Sequence, residues 1–279
     1  MNIVIVGLGV VGGSFAMALK KAGYNDVYGI DVNEETLRKA KELKLIKDGA
    51  TIGKDFLKNA DLTIISIYPK LVVNFIKENK DFFKAGSVIT DATGIKGMFI
   101  EEVVNIKPKD VDFVFGHPMA GREKKGIDFA TEKVFQGANY IITPIKENKE
   151  DNLNLVENIA KSIGFKRVRR ISPDFHDEMI GYTSQLPHAM AVALVNSDKE
   201  DRDTGSFIGD SYRDLTRIAN INEDLWSELF LGNKENLLES IKNFENQLDI
   251  LKKAIIEEDK EKLKELFIKS TKRREKLNK

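Results

Sequence analysis

Three histidines are the side chains of this sequence best suited to acid–base chemistry. His117 lies between Gly116 and Pro118, directly after the apolar segment 112–115, where a buried strand is expected to end. Because imidazole readily takes up a proton near neutral pH, His117 is our candidate for a general base. The alternative is that a histidine at a strand end merely bonds to a loop.

The other two histidines fall within one predicted helix. His188 follows Pro187, which interrupts the helical hydrogen bonding and directs the next side chain, so we expect it to contact a ligand. His176 lies in the first turn and is expected to be exposed or to cap the helix. No two of the histidines are four residues apart, and none has a carboxylate partner at the spacing of metal ligands. We therefore predict no metal site.

Two arginines, Arg213 and Arg217, are spaced four residues apart and therefore share one face of a helix. Two guanidinium groups on one face could bind a carboxylate through paired hydrogen bonds. The alternative is a surface salt bridge with Asp214 or with another acid. Trp226, the single tryptophan, is expected in the core or at an interface.

A glycine-rich loop follows the first predicted strand and precedes a predicted helix. In this context a G-x-G-x-x-G pattern predicts a dinucleotide site, in which free N–H groups at the helix start face a pyrophosphate. The alternative is a tight turn without a ligand. The residues assigned to the cofactor here are Gly7, Leu8, Gly9, Val10, Val11 and Gly12.

Asp31 ends the second predicted strand, where an acidic side chain can accept hydrogen bonds from the adenosine ribose. Its carboxylate would repel a 2′-phosphate, and no Arg or Lys follows until Arg38. We therefore predict NAD rather than NADP as cofactor. The alternative is that Asp31 only caps the next helix.

The elements that must position these residues follow an alternating pattern of short apolar runs and longer amphipathic stretches. This pattern predicts an α/β fold with a doubly wound, parallel Rossmann sheet covered on both faces. After about residue 165 the apolar spacing becomes helical, and Ser172 before Pro173 is expected to cap a helix over 175–195. Further helical patterns cover 223–231 and the Lys/Glu-rich end of the chain. We predict a nucleotide-binding domain over 1–168 and an all-helical domain over 169–279. The predicted strands are 2–6, 27–31, 62–68, 87–92, 112–115 and 140–143.

The composition excludes several classes of function. The 279 residues contain 44 basic and 44 acidic side chains, so no net charge draws the protein to nucleic acid or to an anionic membrane. The absence of cysteine excludes disulfides, thiolate metal sites and a thiol nucleophile. No apolar run is long enough to span a bilayer, and the first six residues lack a basic leader. We expect a cytoplasmic protein that binds a small molecule.

Taken together, the motifs resemble the prephenate/arogenate dehydrogenase family of tyrosine biosynthesis. They occur in the family's order and cover about residues 1–230. The most specific are G-H-P-M-A-G and L-P-H. The matching segments are G-L-G-V-V-G-G-S at 7–14, D-A-T-G-I-K-G at 91–97, G-H-P-M-A-G at 116–121, L-P-H at 186–188 and R-D-L-T-R-I-A at 213–219.

The resemblance implies an NAD-dependent oxidative decarboxylation. His117 would take the proton of the prephenate ring hydroxyl as hydride leaves the same carbon, and loss of CO2 would form 4-hydroxyphenylpyruvate. The resemblance also implies a homodimer built by the helical half. The residues assigned to substrate are Arg217 at a carboxylate, His188 lining the pocket, Glu123 near its mouth, Trp226 and Arg213; Ser66 and Asp91 are assigned to the cofactor.

This chain departs from the family pattern at three positions. Gly94 stands where many members have a serine beside the catalytic histidine, so Thr93 is assigned the missing hydroxyl. Gln185 replaces a further histidine, and Arg213 often corresponds to lysine. These departures leave the choice between prephenate and arogenate open.

Two other functions are compatible with a dinucleotide-binding domain. Another two-domain Rossmann dehydrogenase, acting on a hydroxyacid, would be expected to use a lysine carried by a helix rather than a strand-end histidine. A protein that senses NAD without turnover would not need His117, His188 and Arg217.

Overall fold

The computed structural model describes residues 1–121 and 124–277. Its centre is a sheet of eight strands in the order β3-β2-β1-β4-β5-β6-β7-β8. The strands are β1 (Ile3–Val6), β2 (Val27–Ile30), β3 (Asp48–Ala50), β4 (Leu62–Ile65), β5 (Val88–Asp91), β6 (Asp112–Pro118), β7 (Asn139–Thr143) and β8 (Arg167–Arg170).

The strand order produces a crevice in the middle of the sheet. From β1 the chain first adds β2 and β3 on one side and then crosses to add β4, β5 and β6 on the other, all six in parallel. Helices that leave β1 and β4 in opposite directions separate the carboxyl ends of these two strands, which is where such folds bind ligands. The predicted doubly wound Rossmann sheet is confirmed.

Apolar side chains cover both faces of the sheet. In β1, Ile3 and Ile5 pack into one buried cluster, whereas Val4 and Val6 pack into the cluster on the opposite face. All four side chains are almost completely buried. A strand buried on both faces requires an unbroken apolar run, which is why the segment N-I-V-I-V indicated a covered parallel strand.

Twelve α-helices are described. They divide with the rest of the chain into two compact units, residues 1–233 and the segment from Lys234 onward, in which α11 packs against α12. None of the described helices is long and apolar enough to cross a membrane. The helices are α1 (Val10–Lys21), α2 (Glu34–Glu42), α3 (Lys54–Asn59), α4 (Pro69–Asn79), α5 (Ile100–Ile106), α6 (Glu150–Ser162), α7 (Pro173–Ile180), α8 (Leu186–Asn196), α9 (Asp210–Thr216), α10 (Glu223–Gly232), α11 (Lys234–Ile256) and α12 (Lys260–Lys276).

Three features of the sheet differ from the prediction. The short strand β3 was missed, β7 is antiparallel to β6, and β8 continues the sheet beyond residue 165. β8 has the sequence R-V-R-R and lies at the edge of the sheet, where arginines stay in water and no apolar alternation is needed. The predicted domain boundary near residue 168 remains a prediction.

The helix predicted over 175–195 is divided into α7 and α8. Ser172 accepts a hydrogen bond from Phe175 N, as predicted for a cap. A π-helical turn, Gly181–Gln185, joins the two helices immediately before the L-P-H motif. Pro187 cannot donate a backbone hydrogen bond, and a widened turn is a common way for a helix to accommodate such a residue.

Candidate active site

His117, His176 and Asp177 form a continuous chain of hydrogen bonds. His117 lies near the carboxyl end of β6, and α7 contributes His176, 59 positions further along the chain, and the next residue, Asp177. His117 Nδ1 lies 2.8 Å from His176 Nε2, and His176 Nδ1 lies 2.7 Å from Asp177 Oδ1. A carboxylate therefore orients two imidazole rings in series.

The order of donors in this chain follows from the carboxylate. An ionised carboxylate can only accept, so His176 Nδ1 must donate to Asp177. In a neutral ring the other nitrogen, Nε2, then carries a lone pair and accepts from His117 Nδ1. His117 Nε2 consequently has no proton and is the nitrogen that can act as a base.

Both imidazoles are held in the neutral form. Desolvation by the surrounding protein lowers the pKa of His117 well below 6.5, and the neighbouring His176 and Lys96 lower it further. Desolvation also lowers the pKa of His176, although its bond to Asp177 works in the opposite direction. At neutral pH the pair is therefore ready to accept a proton.

Asp177 also holds the loop that follows β5. Its carboxylate oxygens accept from Lys96 N at 2.9 Å and from Gly97 N at 2.7 Å. The side chain is almost fully buried, so these bonds replace the water it would have at the surface. One carboxylate thus fixes the imidazole pair to the D-A-T-G-I-K-G segment.

A buried ion pair lies beneath this loop. Lys96 Nζ is 2.6 Å from Asp91 Oδ2, and neither side chain is exposed to solvent. Asp91 also accepts from Thr93 N at 3.0 Å and from Gly116 N at 3.1 Å. The pair links the end of β5 to the residue immediately before His117.

The helices α8 and α10 place the third imidazole beside an aromatic ring. His188 Nδ1 donates to Ser184 O at 2.8 Å, across the π-helical turn. The His188 ring stacks on Trp226 with centroids 3.6 Å apart, and Phe230 packs edge-on against the same indole. A neutral His188 in this arrangement has its lone pair on Nε2.

The glycine loop has the geometry that a dinucleotide requires. Gly7 has φ +83°, and a Cβ there would lie 2.5 Å from Ser66 O. A Cβ at Gly12 would lie 1.8 Å from Gly7 O, so α1 packs directly on the loop. Beyond Gly9 there is open space, and no side chain caps the first turn of α1. The residues therefore fit a pyrophosphate bound to backbone N–H groups.

Asp31 is held beside this loop. Oδ2 accepts from Leu8 N at 2.7 Å, and Oδ1 accepts from Asn33 N at 2.9 Å. The carboxylate is partly exposed and each oxygen retains a further lone pair. Asn33, rather than Asp31, caps α2 through Thr36 N, so the alternative that Asp31 only caps this helix is wrong.

Comparison with known proteins identifies the family. Residues 15–169 match the family model "Prephenate dehydrogenase, nucleotide-binding domain", and residues 172–269 match "Prephenate dehydrogenase, dimerization domain". The chain belongs to the prephenate dehydrogenase family. It is 31% identical to prephenate dehydrogenase of Lactococcus lactis, over 95% of this chain and 74% of that protein. The Bacillus subtilis prephenate dehydrogenase is 29% identical, over 95% of this chain and 73% of that protein.

Solved structures of the family have the same fold. Prephenate dehydrogenase from Aquifex aeolicus, in complex with hydroxyphenyl propionate and NAD+, is 33% identical with a TM-score of 0.91, over 99% of this chain and 98% of that one. Synechocystis arogenate dehydrogenase is 25% identical with a TM-score of 0.84, over 99% of this chain and 100% of that one. Members that are named for either substrate therefore share this architecture.

Two residues assigned to the family site, Thr93 and Asp91, belong to the buried cluster around Lys96. The Thr93 hydroxyl bonds to Asp91 Oδ2, to Ile95 O at 3.1 Å and to Lys96 Nζ at 3.0 Å. These bonds direct it into the cluster, so any influence of Thr93 on His117 passes through Lys96 and Gly116. Asp91 is fully buried and bonds through both oxygens to other residues of the protein, Oδ2 to Lys96 Nζ and Oδ1 to Gly116 N.

The remaining assigned residues that the structure describes lie in separate elements. Arg217 is exposed and lies on the turn after α9, and α8 packs against that turn. Arg213 is also exposed and pairs with Asp210 at 2.8 Å, as expected for the surface alternative. Ser66 lies beside Gly7, and Glu123 lies outside the described residues. Among the described residues no group of three or more His, Asp or Glu side chains could hold a metal.

Three residues that contact the candidate base or its partners were not predicted from the sequence. His176 was expected to be exposed or to cap the helix, but only 1% of it is exposed and Ser172 is the cap, so this expectation is wrong. Asp177 and Lys96 were assigned no role. The available signal was an adjacent His-Asp pair just after a capped proline, which places both side chains at the rigid start of a helix.

Proposed function

We propose that this protein is an NAD-dependent prephenate dehydrogenase that converts prephenate to 4-hydroxyphenylpyruvate and CO2. The observation that carries the proposal is the ordered chain from Asp177 through His176 to His117, which leaves an unprotonated nitrogen at the crevice. Relatives named prephenate dehydrogenase extend over 95% of the chain, which supports this choice of reaction.

The proposed mechanism begins with proton transfer from the ring hydroxyl to His117 Nε2. NAD+, when bound, supplies a hydride acceptor for the carbon that bears this hydroxyl. As the bond to the ring carboxylate breaks, CO2 leaves and its electron pair makes the ring aromatic. His117 then returns the proton to the phenol oxygen, so the only net transfer to the cofactor is the hydride.

The two residues behind His117 stabilise its protonated form while it exists. A proton on Nε2 makes His117 an imidazolium, and His176 accepts from its Nδ1 at 2.8 Å. The Asp177 carboxylate lies one imidazole further on and offsets the new positive charge. General base catalysis of this kind contributes about 10²- to 10⁴-fold to the rate.

We propose that residues of the helical domain, 169–279, bind the two carboxylates of the substrate. We infer that Arg217 binds one of them, because a guanidinium offers two parallel donors to a carboxylate. The stacked rings of His188 and Trp226 offer the substrate a flat surface that is both polar and aromatic. Arg213 and Glu123 remain proposed substrate contacts, Glu123 near the mouth of the pocket. Ser66 and Asp91 remain proposed cofactor residues, and Thr93 remains the proposed hydroxyl near His117.

An alternative substrate is arogenate, which carries an amine where prephenate carries a ketone. The similarity to Synechocystis arogenate dehydrogenase supports this second candidate substrate. We further infer that the protein is a homodimer, since residues 172–269 match a dimerization domain. We also propose that it works in the cytoplasm. Sedimentation of the purified protein measures the oligomeric state.

A substrate panel tests the proposed function. The purified protein is incubated with prephenate or arogenate, each with NAD+ or NADP+, and the reduced cofactor is followed by absorbance. We expect turnover with prephenate and NAD+, and one CO2 for each NADH. A simple 2- or 3-hydroxyacid is included as a further substrate. Folded, NAD-bound protein that turns over neither prephenate nor arogenate would refute the proposed function; turnover of the hydroxyacid would then favour another dehydrogenase, and no turnover at all would favour an NAD sensor.

A further inference from the structure

Lys96 is a fully buried cation whose bonds identify its protonation state. Its Nζ lies 2.6 Å from Asp91 Oδ2, 2.6 Å from Gly116 O and 3.0 Å from Thr93 O. Thr93 Oγ1, at 3.0 Å, is a fourth contact. The carboxylate and the two carbonyl oxygens can only accept, and a neutral amine has only two protons to donate. Although burial lowers the pKa of Lys96, these acceptors hold the side chain as an ammonium ion.

The bonds of Lys96 converge on the residue before the candidate base. Gly116 O belongs to the peptide bond that continues into His117, and Gly116 N donates to Asp91 Oδ1 at 3.1 Å. The ion pair thus holds both polar groups of Gly116. On the other side, Lys96 N donates to Asp177. One residue connects β5, β6 and the carboxylate that orders the imidazoles.

Several described groups surround the His117–His176 pair and act on its charge. His176 and Lys96 act on His117, and Lys96, Asp177 and Asp91 act on His176. Asp177 belongs to α7, Asp91 ends β5 and Lys96 lies in the loop beyond. On the adjacent strand β7, burial raises the pKa of Tyr140, so this phenol is neutral. Lys96 is the cation in this group.

We propose that Lys96 is a positioning residue for the reaction: its buried ammonium fixes the end of β6 and opposes protonation of the His117–His176 pair before substrate binds. The role of Lys96 in catalysis rests on the proposed function, whereas its effect on the protonation of His117 and His176 does not depend on which reaction the protein catalyses. Desolvation is the main cause of the low pKa of His117, and Lys96 adds to it. Without the cation a larger fraction of the resting enzyme would carry a protonated His117, and a protonated base cannot take the hydroxyl proton.

The test replaces the ion pair with neutral side chains of similar shape. Lys96→Met with Asp91→Asn removes both charges, which avoids leaving a single buried charge. The chain has three histidines, so ¹⁵N NMR can follow each imidazole through a pH titration, with His117 assigned from the spectrum of His117→Asn. Thr93→Val is the matched control, because it removes a hydroxyl from the same cluster and keeps the ammonium.

We expect the His117 titration midpoint to rise by about one pH unit in the double variant and to stay unchanged in Thr93→Val. The acid limb of kcat/KM for prephenate should rise by the same amount. An unchanged midpoint in a folded double variant would overturn the proposal. If that variant does not fold, the wild-type titration decides, because a His117 midpoint at or above 6.5 contradicts it. A wild-type protein without turnover would refute the proposed function and leave the titration readable.

Discussion

Replacing Asp177 with asparagine should remove the base without removing any of the ring atoms. Oδ2 accepts from Gly97 N at 2.7 Å and from Lys96 N at 3.2 Å, so the amide oxygen takes that position. The NH2 group then replaces Oδ1, where it faces His176 Nδ1 and where the 2.9 Å bond from Lys96 N is lost. His176 must then accept at Nδ1 and donate from Nε2 to His117 Nδ1. The proton of His117 moves to Nε2, where the lone pair was needed.

The expected loss follows from this change of tautomer. If general base catalysis is abolished, kcat for prephenate should fall about 10²- to 10⁴-fold. KM and the affinity for NAD+ should change little, because Asp177 lies behind two imidazoles and is buried. Combining Asp177→Asn with His117→Asn should cost no more than His117→Asn alone, since both changes remove the same function.

The assay is steady-state formation of NADH with prephenate, alongside thermal unfolding and NAD+ titration. Glu178→Gln is the matched control, because it makes the same chemical change at the next residue of α7, where the side chain is exposed. That control should keep wild-type kcat. A kcat within about threefold of wild type for Asp177→Asn would refute the reasoning, as would full additivity with His117→Asn.

Four further results are expected. His117→Asn should lower kcat about 10²- to 10⁴-fold and leave NAD+ affinity unchanged in a binding titration; near-normal kcat would show that another group is the base. Arg217→Ala should chiefly raise KM for prephenate, and a loss confined to kcat would contradict a role in binding. Asp31→Ala should reduce the ratio of kcat/KM with NAD+ to that with NADP+, and an unchanged ratio would contradict the ribose contact. Burial lowers the pKa of His117 and His176 in the folded protein, so the unfolded chain binds protons at a higher pH than the folded protein does. The free energy of unfolding should therefore fall as the pH drops below 6.5, by up to about 1.4 kcal/mol per pH unit for each ring. Urea unfolding at pH 7.5 and 5.5 measures this difference, and equal stabilities would contradict it.

Local patterns were sufficient to predict much of the fold. The glycine loop, Asp31 and the first parallel strands depend on short segments whose spacing reflects burial on two faces and a tight turn. Ser172 as a helix cap is a property of four consecutive residues. The edge strand β8 was missed because arginines at a sheet edge need no apolar pattern.

The supporting residues of the site could not be predicted in the same way. His176 and His117 are 59 residues apart, and only the packing of α7 beside the carboxyl end of β6 brings their rings together. The burial of Lys96 likewise depends on acceptors from β5 and β6. An isolated lysine or histidine in a sequence is more often at the surface, so the chemistry of these residues becomes visible only with their partners.

The measurement that tests the central claim most directly is the position of the imidazole protons in the resting protein. The ¹⁵N shifts of His117 and His176 at pH 7 distinguish a protonated Nδ1 from a protonated Nε2 and from an imidazolium. The account predicts that both rings are neutral with the proton on Nδ1, so that Nε2 of His117 is free to accept a proton. A proton on Nε2 of His117, or an imidazolium at that residue, would contradict it.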